Sequence, residues 1–395
     1  MTNAEIVALT AAHEVGIYAR LPVAFVRGRG CELWDADGRR YLDLFAGVAV
    51  MSLGHGHPAV VEAIRAQAGE LLHVSNHYHT RPGAELAALL CRLSFAERVF
   101  LCNSGAEANE AAMKLARRWG AAHGGRFEIL ATTGSFHGRT FATLTATGQE
   151  RYHRGFQPLL PGVRLVPYDD LPAMRAAVRA ETVAVMVEPI QGEGGVTTPR
   201  PDYLPGLRRL CDEHGLLLIL DEIQTGLGRT GRLFAHEAAG IVPDIMTLAK
   251  ALGGGLPIGA MLTSARVAEA FAPGAHGTTF GGNPVACAAA IAATTALARP
   301  ELLAHVQAMG AHLRAGLEAL GRRRGRIQAV RGAGLLVGAV LDGPGAPVVR
   351  RCLERGLLVN CTAERVLRLT PPLVITRAEL DEGLALLEQA LMEAA

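Results

Sequence analysis

The chain has 395 residues, 50% of them apolar and 19% charged, with a formal net charge of +2. That composition excludes a disordered or collagen-like chain, and near-balanced charge gives no general pull toward nucleic acid or an anionic membrane. The length exceeds the roughly 250–300 residues at which one core stops growing, so two domains, or one large domain with an appendage, are expected.

The N-terminal stretch MTNAEIVALTAAHEVG carries Glu5 and lacks a basic run ahead of an apolar segment, so it is not read as a signal peptide. Short apolar runs, uncharged apart from Glu128, then recur at 99–101, 127–130, 183–187, 216–220, 245–248 and 260–262. Helix-length segments separate most of them, which predicts buried parallel strands of an α/β sheet. Residues 284–298 are apolar but short and mainly Ala and Thr, so a tightly packed helix is expected there rather than a membrane span. The last third predicts a smaller α+β unit with strands at 335–341, 357–360 and 366–369. Its closing helix carries Leu380, Leu384, Leu387 and Leu391 on one face. Arg322 to Arg324 reads as a solvated helix end. Seven cysteines form no CxxC pair, so no metal site is expected and a reducing cytoplasm fits best.

Only two of the 39 basic residues are lysines, Lys114 and Lys250. Arg serves wherever a bare positive charge suffices, so a retained lysine points to a need for an amine. Lys114 falls on the polar side of a helix whose Ala108, Ala112, Leu115 and Trp119 form the apolar stripe. Lys250 follows a buried strand and precedes three glycines, in TLAKALGGGLP. Desolvation there would lower its pKa and make it a nucleophile suited to a Schiff base.

Three further segments end strands, where ligands of parallel sheets collect. GLLLILDEIQTG runs into Asp221, a carboxylate able to keep a pyridine nitrogen protonated; alone, it could equally be a structural Asp at a turn. CNSGAEANEA offers Ser104 and Glu107 as a capping box, with Gly105 allowing close approach of a phosphate to helix N–H groups. GSFHGRT supplies Phe136 to cover a planar ring, Arg139 to clamp a carboxylate, and His137 as either a turn residue or a substrate contact. Glu188, before Pro189, reads as a scaffold carboxylate. Together these groups match pyridoxal phosphate chemistry. Neither GxGxxG after the first strand nor GxxxxGK[ST] is present, so a nicotinamide or P-loop site is not expected.

The segments NSGAEANEAAMKLAR, SFHGRTFATLTATGQ, EPIQGEGG, LDEIQTGLGRTG, TLAKALGGGLPIGA, HGTTFGGNP and RLTPPLVI occur in one order along the chain. In this it resembles the class III aminotransferases of fold type I, over nearly its whole length. The resemblance implies pyridoxal 5'-phosphate joined to Lys250, with Asp221 at the pyridinium nitrogen and Gln224 near the phenolic oxygen. Phe136 would stack on the ring, while Ser104, Gly105 and Ala106 would hold the phosphate. Thr279 would reach the phosphate of a neighbouring subunit's cofactor, making the active unit a homodimer with shared sites.

For substrate, the resemblance implies that Arg368 binds the α-carboxylate of glutamate and Arg139 its side-chain carboxylate. With an ω-amine donor, Arg139 would take the far carboxylate and Glu193 would mask Arg368. Tyr18 aligns with a substrate-contacting tyrosine. The expected reaction moves the terminal amine of N2-acetylornithine to 2-oxoglutarate, yielding glutamate. Ornithine, succinyldiaminopimelate, carrier-bound lysine and 4-aminobutyrate are the competing donors. An aminomutase fits the two arginines less well, and a non-catalytic binding protein would have no need of both Lys250 and Asp221. The expected layout is an N-terminal segment (1–45) packing with a small C-terminal domain (291–395), around a large cofactor-binding domain (46–290).

Overall fold

A computed structural model describes residues 1–394. Its centre is a seven-stranded sheet in the order Arg98–Cys102, Gly259–Thr263, Ile245–Leu248, Leu217–Asp221, Thr182–Val187, Glu128–Thr132, Val163–Val166. The strands Thr182–Val187, Leu217–Asp221 and Ile245–Leu248 are buried throughout, as their uninterrupted apolar runs require. One face packs against the helix Gly105–Ala122 through Ala112, Leu115, Ala116 and Trp119, and the other against Tyr203–His214 through Leu207, Leu210 and Cys211.

Two features depart from the sequence-based expectation. Gly259–Thr263, expected as a parallel strand, runs antiparallel to both neighbours, in a sheet that is otherwise mainly parallel as expected. Only residues 249–258 separate it from Ile245–Leu248. A right-handed crossover needs about a dozen residues or more, usually with a helix, so the chain must turn directly back. The edge strand Val163–Val166, half-buried and broken by Arg164, has no uncharged apolar run to announce it.

Two four-stranded sheets flank this unit. In one, Phe25–Arg29, Glu32–Asp35 and Arg40–Asp43 are joined in parallel by Leu357–Leu358 from the far end of the chain. The other orders Ile327–Ala333, Leu336–Leu341, Val366–Leu369 and Asn360–Thr362. The helix Pro284–Leu297 buries Ala286, Ala289, Ala290, Ala293 and Leu297, and no single helix among the described residues is long and apolar enough to cross a membrane. Arg323 and Arg324 end the helix Pro300–Arg324 and pair with Glu388, where positive charge suits the helix dipole. In the helix Arg377–Glu393, Leu380, Leu387 and Leu391 are buried, while Leu384 is half-buried against Gly316.

Arg229 ties these parts together. It is fully buried, donating from Nη1 to the carbonyls of Pro371 (2.6 Å) and Leu335 (3.1 Å) and from Nη2 to Ser52 Oγ (2.9 Å). Burial lowers its pKa, and the charge of Asp43 opposes that shift. Arg229→Ala removes all three bonds, strands two buried carbonyls and leaves a cavity. A loss of about 3 kcal/mol or more is expected in urea unfolding, and a loss below about 1 kcal/mol would show that these segments hold together without it.

Candidate active site

The carboxyl ends of the parallel strands open onto a cavity of about 500 Å³, lined by Ser104, Gly105, Ala106, Phe136, His137, Arg139, Glu188, Glu193, Asp221, Gln224 and Lys250, with Val50 and Ile223 among its apolar walls. Asp221, the last residue of its strand, is 3% exposed, yet its carboxylate is well supplied. Oδ2 accepts from Asn109 Nδ2 and lies against His137 Nδ1, both at 2.8 Å, while Oδ1 accepts from Ile223 N at 3.0 Å. Asn109 is itself oriented by Thr247 Oγ1 (2.7 Å) on the adjacent strand. Burial opposes protonation of His137, but the hydrogen bond and charge of Asp221, helped by Glu188, outweigh it and raise the His137 pKa. The raised value favours a proton on Nδ1, so His137 is a partner of Asp221 rather than a free turn residue.

Lys250 begins a short 3-10 turn in the left-handed region (φ +45°), a conformation that costs a non-glycine residue about 1–2 kcal/mol. Burial lowers its pKa, reinforced by the charge of Arg368 and opposed by Glu193, Asp221 and Glu188. The neutral, nucleophilic amine is thereby favoured.

The helix Gly105–Ala122 begins at the cavity. Ser104 Oγ accepts from Glu107 N (3.1 Å) and Ser104 O from Ala108 N, leaving Gly105 and Ala106 N–H without partners among the described residues. The capping box is incomplete: the Glu107 carboxylate takes Asn103 N (2.8 Å) and Ser104 Oγ instead of Ser104 N. Gly138 lets the 135–139 turn close on this helix, since a Cβ there would stand 2.8 Å from Ala106 Cβ. An amine, a buried carboxylate, two free N–H groups at a helix start and an aromatic wall are the donor set that a phosphorylated pyridine aldehyde requires. The residues fit pyridoxal phosphate.

Glu188 acts as the scaffold carboxylate that was expected. Oε2 accepts from Phe136 N (3.0 Å) and Oε1 from Gly192 N (3.3 Å), tying together the two loops that carry Phe136 and Glu193. Burial pushes its pKa up to about 7, with the charge of Asp221 adding and that of His137 subtracting.

The two arginines differ sharply. Arg368 is 1% exposed and donates from Nη1 to Glu193 Oε1 (2.5 Å) and to Gln224 Oε1 (3.2 Å), with Asn360 Oδ1 accepting from Nε and Nη2. Arg139 is exposed, with its Cζ 3.9 Å from the centroid of the Tyr152 ring and 5.4 Å from that of Phe136. Tyr152 carries no pattern that would single it out in the sequence.

Two expected residues stand elsewhere. Tyr18 is 66% exposed in an irregular segment and does not line the cavity, because nothing in the single chain draws residues 14–22 onto the core. Thr279 is exposed in a separate cleft of about 460 Å³ with His73, Tyr78 and Phe280.

Fold and site together define a pyridoxal phosphate-dependent aminotransferase of fold type I. The aminotransferase class-III model matches residues 16–391, and the chain belongs to that family. It is 50% identical to the acetylornithine aminotransferase of Caldanaerobacter subterraneus subsp. tengcongensis, over 95% of this chain and 96% of the relative. It is 53% identical to that of Myxococcus xanthus, over 93% of each. Among solved structures, an ornithine aminotransferase from Toxoplasma gondii superposes with a TM-score of 0.96 at 35% identity, covering 100% of this chain and 96% of that one. An N-acetylornithine aminotransferase from Stenotrophomonas maltophilia superposes with a TM-score of 0.85 at 41% identity, covering 98% of each.

The raised Glu188 pKa has a consequence for stability. Between pH 4.5 and about 7 the folded chain keeps a proton that the unfolded chain has released. This contribution to stability is therefore complete below pH 4.5 and lost as pH rises to about 7. The His137 contribution is complete below 6.5 and lost higher, as pH passes its raised folded value. Glu188→Gln should flatten the lower window in urea unfolding across pH, and an unchanged slope there would clear Glu188 as its source.

Proposed function

We propose that the enzyme transfers the terminal amine of N2-acetylornithine to 2-oxoglutarate, giving N-acetylglutamate 5-semialdehyde and glutamate, a step of arginine biosynthesis. The observation that carries this reading is the asymmetry of the arginines: Glu193 neutralises buried Arg368 while Arg139 stands free. Such a site suits a donor with one carboxylate at the end remote from its reacting amine. The identity to acetylornithine aminotransferases supports the acylated donor; backbone similarity, which is higher to an ornithine enzyme, does not discriminate.

In this reading Lys250 would hold the cofactor, Asp221 would pair with its ring nitrogen and Gln224 with its phenolic oxygen, Phe136 would cover the ring, and Ser104, Gly105 and Ala106 would receive the phosphate. When bound, pyridoxal phosphate supplies an electron sink that stabilises negative charge on the carbon losing its proton. Lys250 Nζ would take that proton from the amine-bearing carbon of the substrate. Arg139 fixes the far carboxylate by paired hydrogen bonds, its plane held by Tyr152. For 2-oxoglutarate and glutamate, the Glu193 carboxylate withdraws and Arg368 binds the second carboxylate. A guanidinium left unpaired in that interior would be costly, so masking and substrate binding alternate.

The enzyme acts as a homodimer in the reducing cytoplasm, with Thr279 serving the partner's phosphate site. Its layout is a large domain at 46–290, with 1–45 packing against a small domain at 291–395.

Stopped-flow absorbance of the cofactor-loaded enzyme with N2-acetylornithine, ornithine and 4-aminobutyrate tests the donor. Fastest conversion with N2-acetylornithine is expected, and a clear preference for either other amine would overturn that assignment. Lys250→Ala should lower turnover by roughly 10⁴ or more with an unchanged unfolding midpoint. Arg139→Ala should raise the donor KM about tenfold or more while cofactor affinity is kept. Unchanged donor kinetics would remove Arg139 from the site.

A further inference from the structure

The loop bearing Glu193 is closed at its base by reciprocal bonds between Gln191 and Thr197, both 3.0 Å, and by Val196 N donating to Gly192 O (3.2 Å). Val196 is buried at φ +52°, an unfavourable conformation for a β-branched residue, and packs with Ile190 and Leu336. Gly194 abuts the Gly134 carbonyl so closely that a Cβ would come within 2.5 Å of its oxygen. On the cofactor side Glu188 accepts from Gly192 N, and Gln191 Nε2 donates to Thr133 O (2.9 Å). On the far side Arg331 Nε donates to Gly195 O (2.7 Å), and Thr362 Oγ1 donates to the carbonyl of Glu193 itself.

The strand Asn360–Thr362 therefore reaches both partners of the ion pair. Asn360 pairs across the ladder with Arg368 and accepts two hydrogen bonds from its guanidinium. Thr362, two residues on and so directed to the same side of the strand, holds Glu193. One short strand thus sets the cation and the backbone of the anion in register.

We infer that Thr362 is a positioning residue of the substrate switch: its hydroxyl pins the Glu193 backbone, so that the carboxylate alone swings between masking and releasing Arg368. This rests on the reading in which Glu193 and Arg368 alternate. Without the hydroxyl, Glu193 masks Arg368 less completely, and a donor with a single carboxylate binds there unproductively as well as at Arg139. Glutamate needs Arg368 unmasked and is not penalised.

The test is single-turnover absorbance of the cofactor-loaded enzyme with N2-acetylornithine and, separately, glutamate. Thr362→Val should lower the saturating rate and the KM for N2-acetylornithine together, about fivefold, the factor for one hydrogen bond, and leave the saturating rate for glutamate within about twofold. Thr362→Ser should restore the N2-acetylornithine value. Parallel loss in the two half-reactions, or no change in either, would overturn the inference. Glu193→Gln separates the two ideas. If its ratio of donor to glutamate reactivity matches wild type, the alternation itself fails; if that ratio shifts in Glu193→Gln but not in Thr362→Val, only the role of Thr362 falls.

Discussion

A buried carboxylate with a hydrogen-bond partner on each oxygen organises this structure. Asp221 sits at the end of a fully buried strand, and an unsatisfied ion there would cost several kcal/mol. Its three partners come from separate elements, and hydrogen bonds to a charged group contribute roughly 1.5–3 kcal/mol each. Asn109 fixes the rotation of the helix Gly105–Ala122, and Gly105 lies four residues before it on the same face. His137 fixes the turn that carries Phe136. Thr247, bonded to Asn109, belongs to the strand that delivers Lys250 three residues later. Phosphate cradle, ring wall and nucleophile are all referred to one side chain.

The arginines illustrate two ways of holding a cation ready. Arg139 remains partly hydrated at the mouth, and stacking on Tyr152 orients it without using its hydrogen-bonding edge. Arg368 has lost its water, so it needs a neutralising partner whenever substrate is away. Asn360 and Gln224 satisfy part of its fork but carry no charge, which leaves Glu193 as its carboxylate partner. Burial thus turns a binding residue into one half of an exchange.

Much of this was legible in the sequence because the chemistry sits where strands end. The scarcity of lysine singled out Lys250, and the apolar strand before Asp221 announced its burial. What escaped depends on contacts between distant segments. Tyr152, Thr362 and Arg229 look ordinary until folding brings them to Arg139, Glu193 and Ser52. The antiparallel strand Gly259–Thr263 was in principle readable, since residues 249–258 are too few for a crossover, but its apolar run matches those of parallel neighbours. Tyr18 rested on a local match alone, and in the single chain it is exposed and away from the cavity.

Strain collects around the cavity. Ala46, Gly47, Val48 and Ala49 all have positive φ, as do Lys250 and Val196. Such conformations persist only where neighbours over-determine them. Asp43 does this for the first group, accepting from Phe45 N and Ala46 N, and the turn delivers Val50 to the cavity wall. Val196 is held by its core contacts and Lys250 by the strand before it. A frame fixed at so many points does not reshape itself between substrates of different charge. Accommodation then falls to the one charged partner of Arg368, the half-buried Glu193 carboxylate.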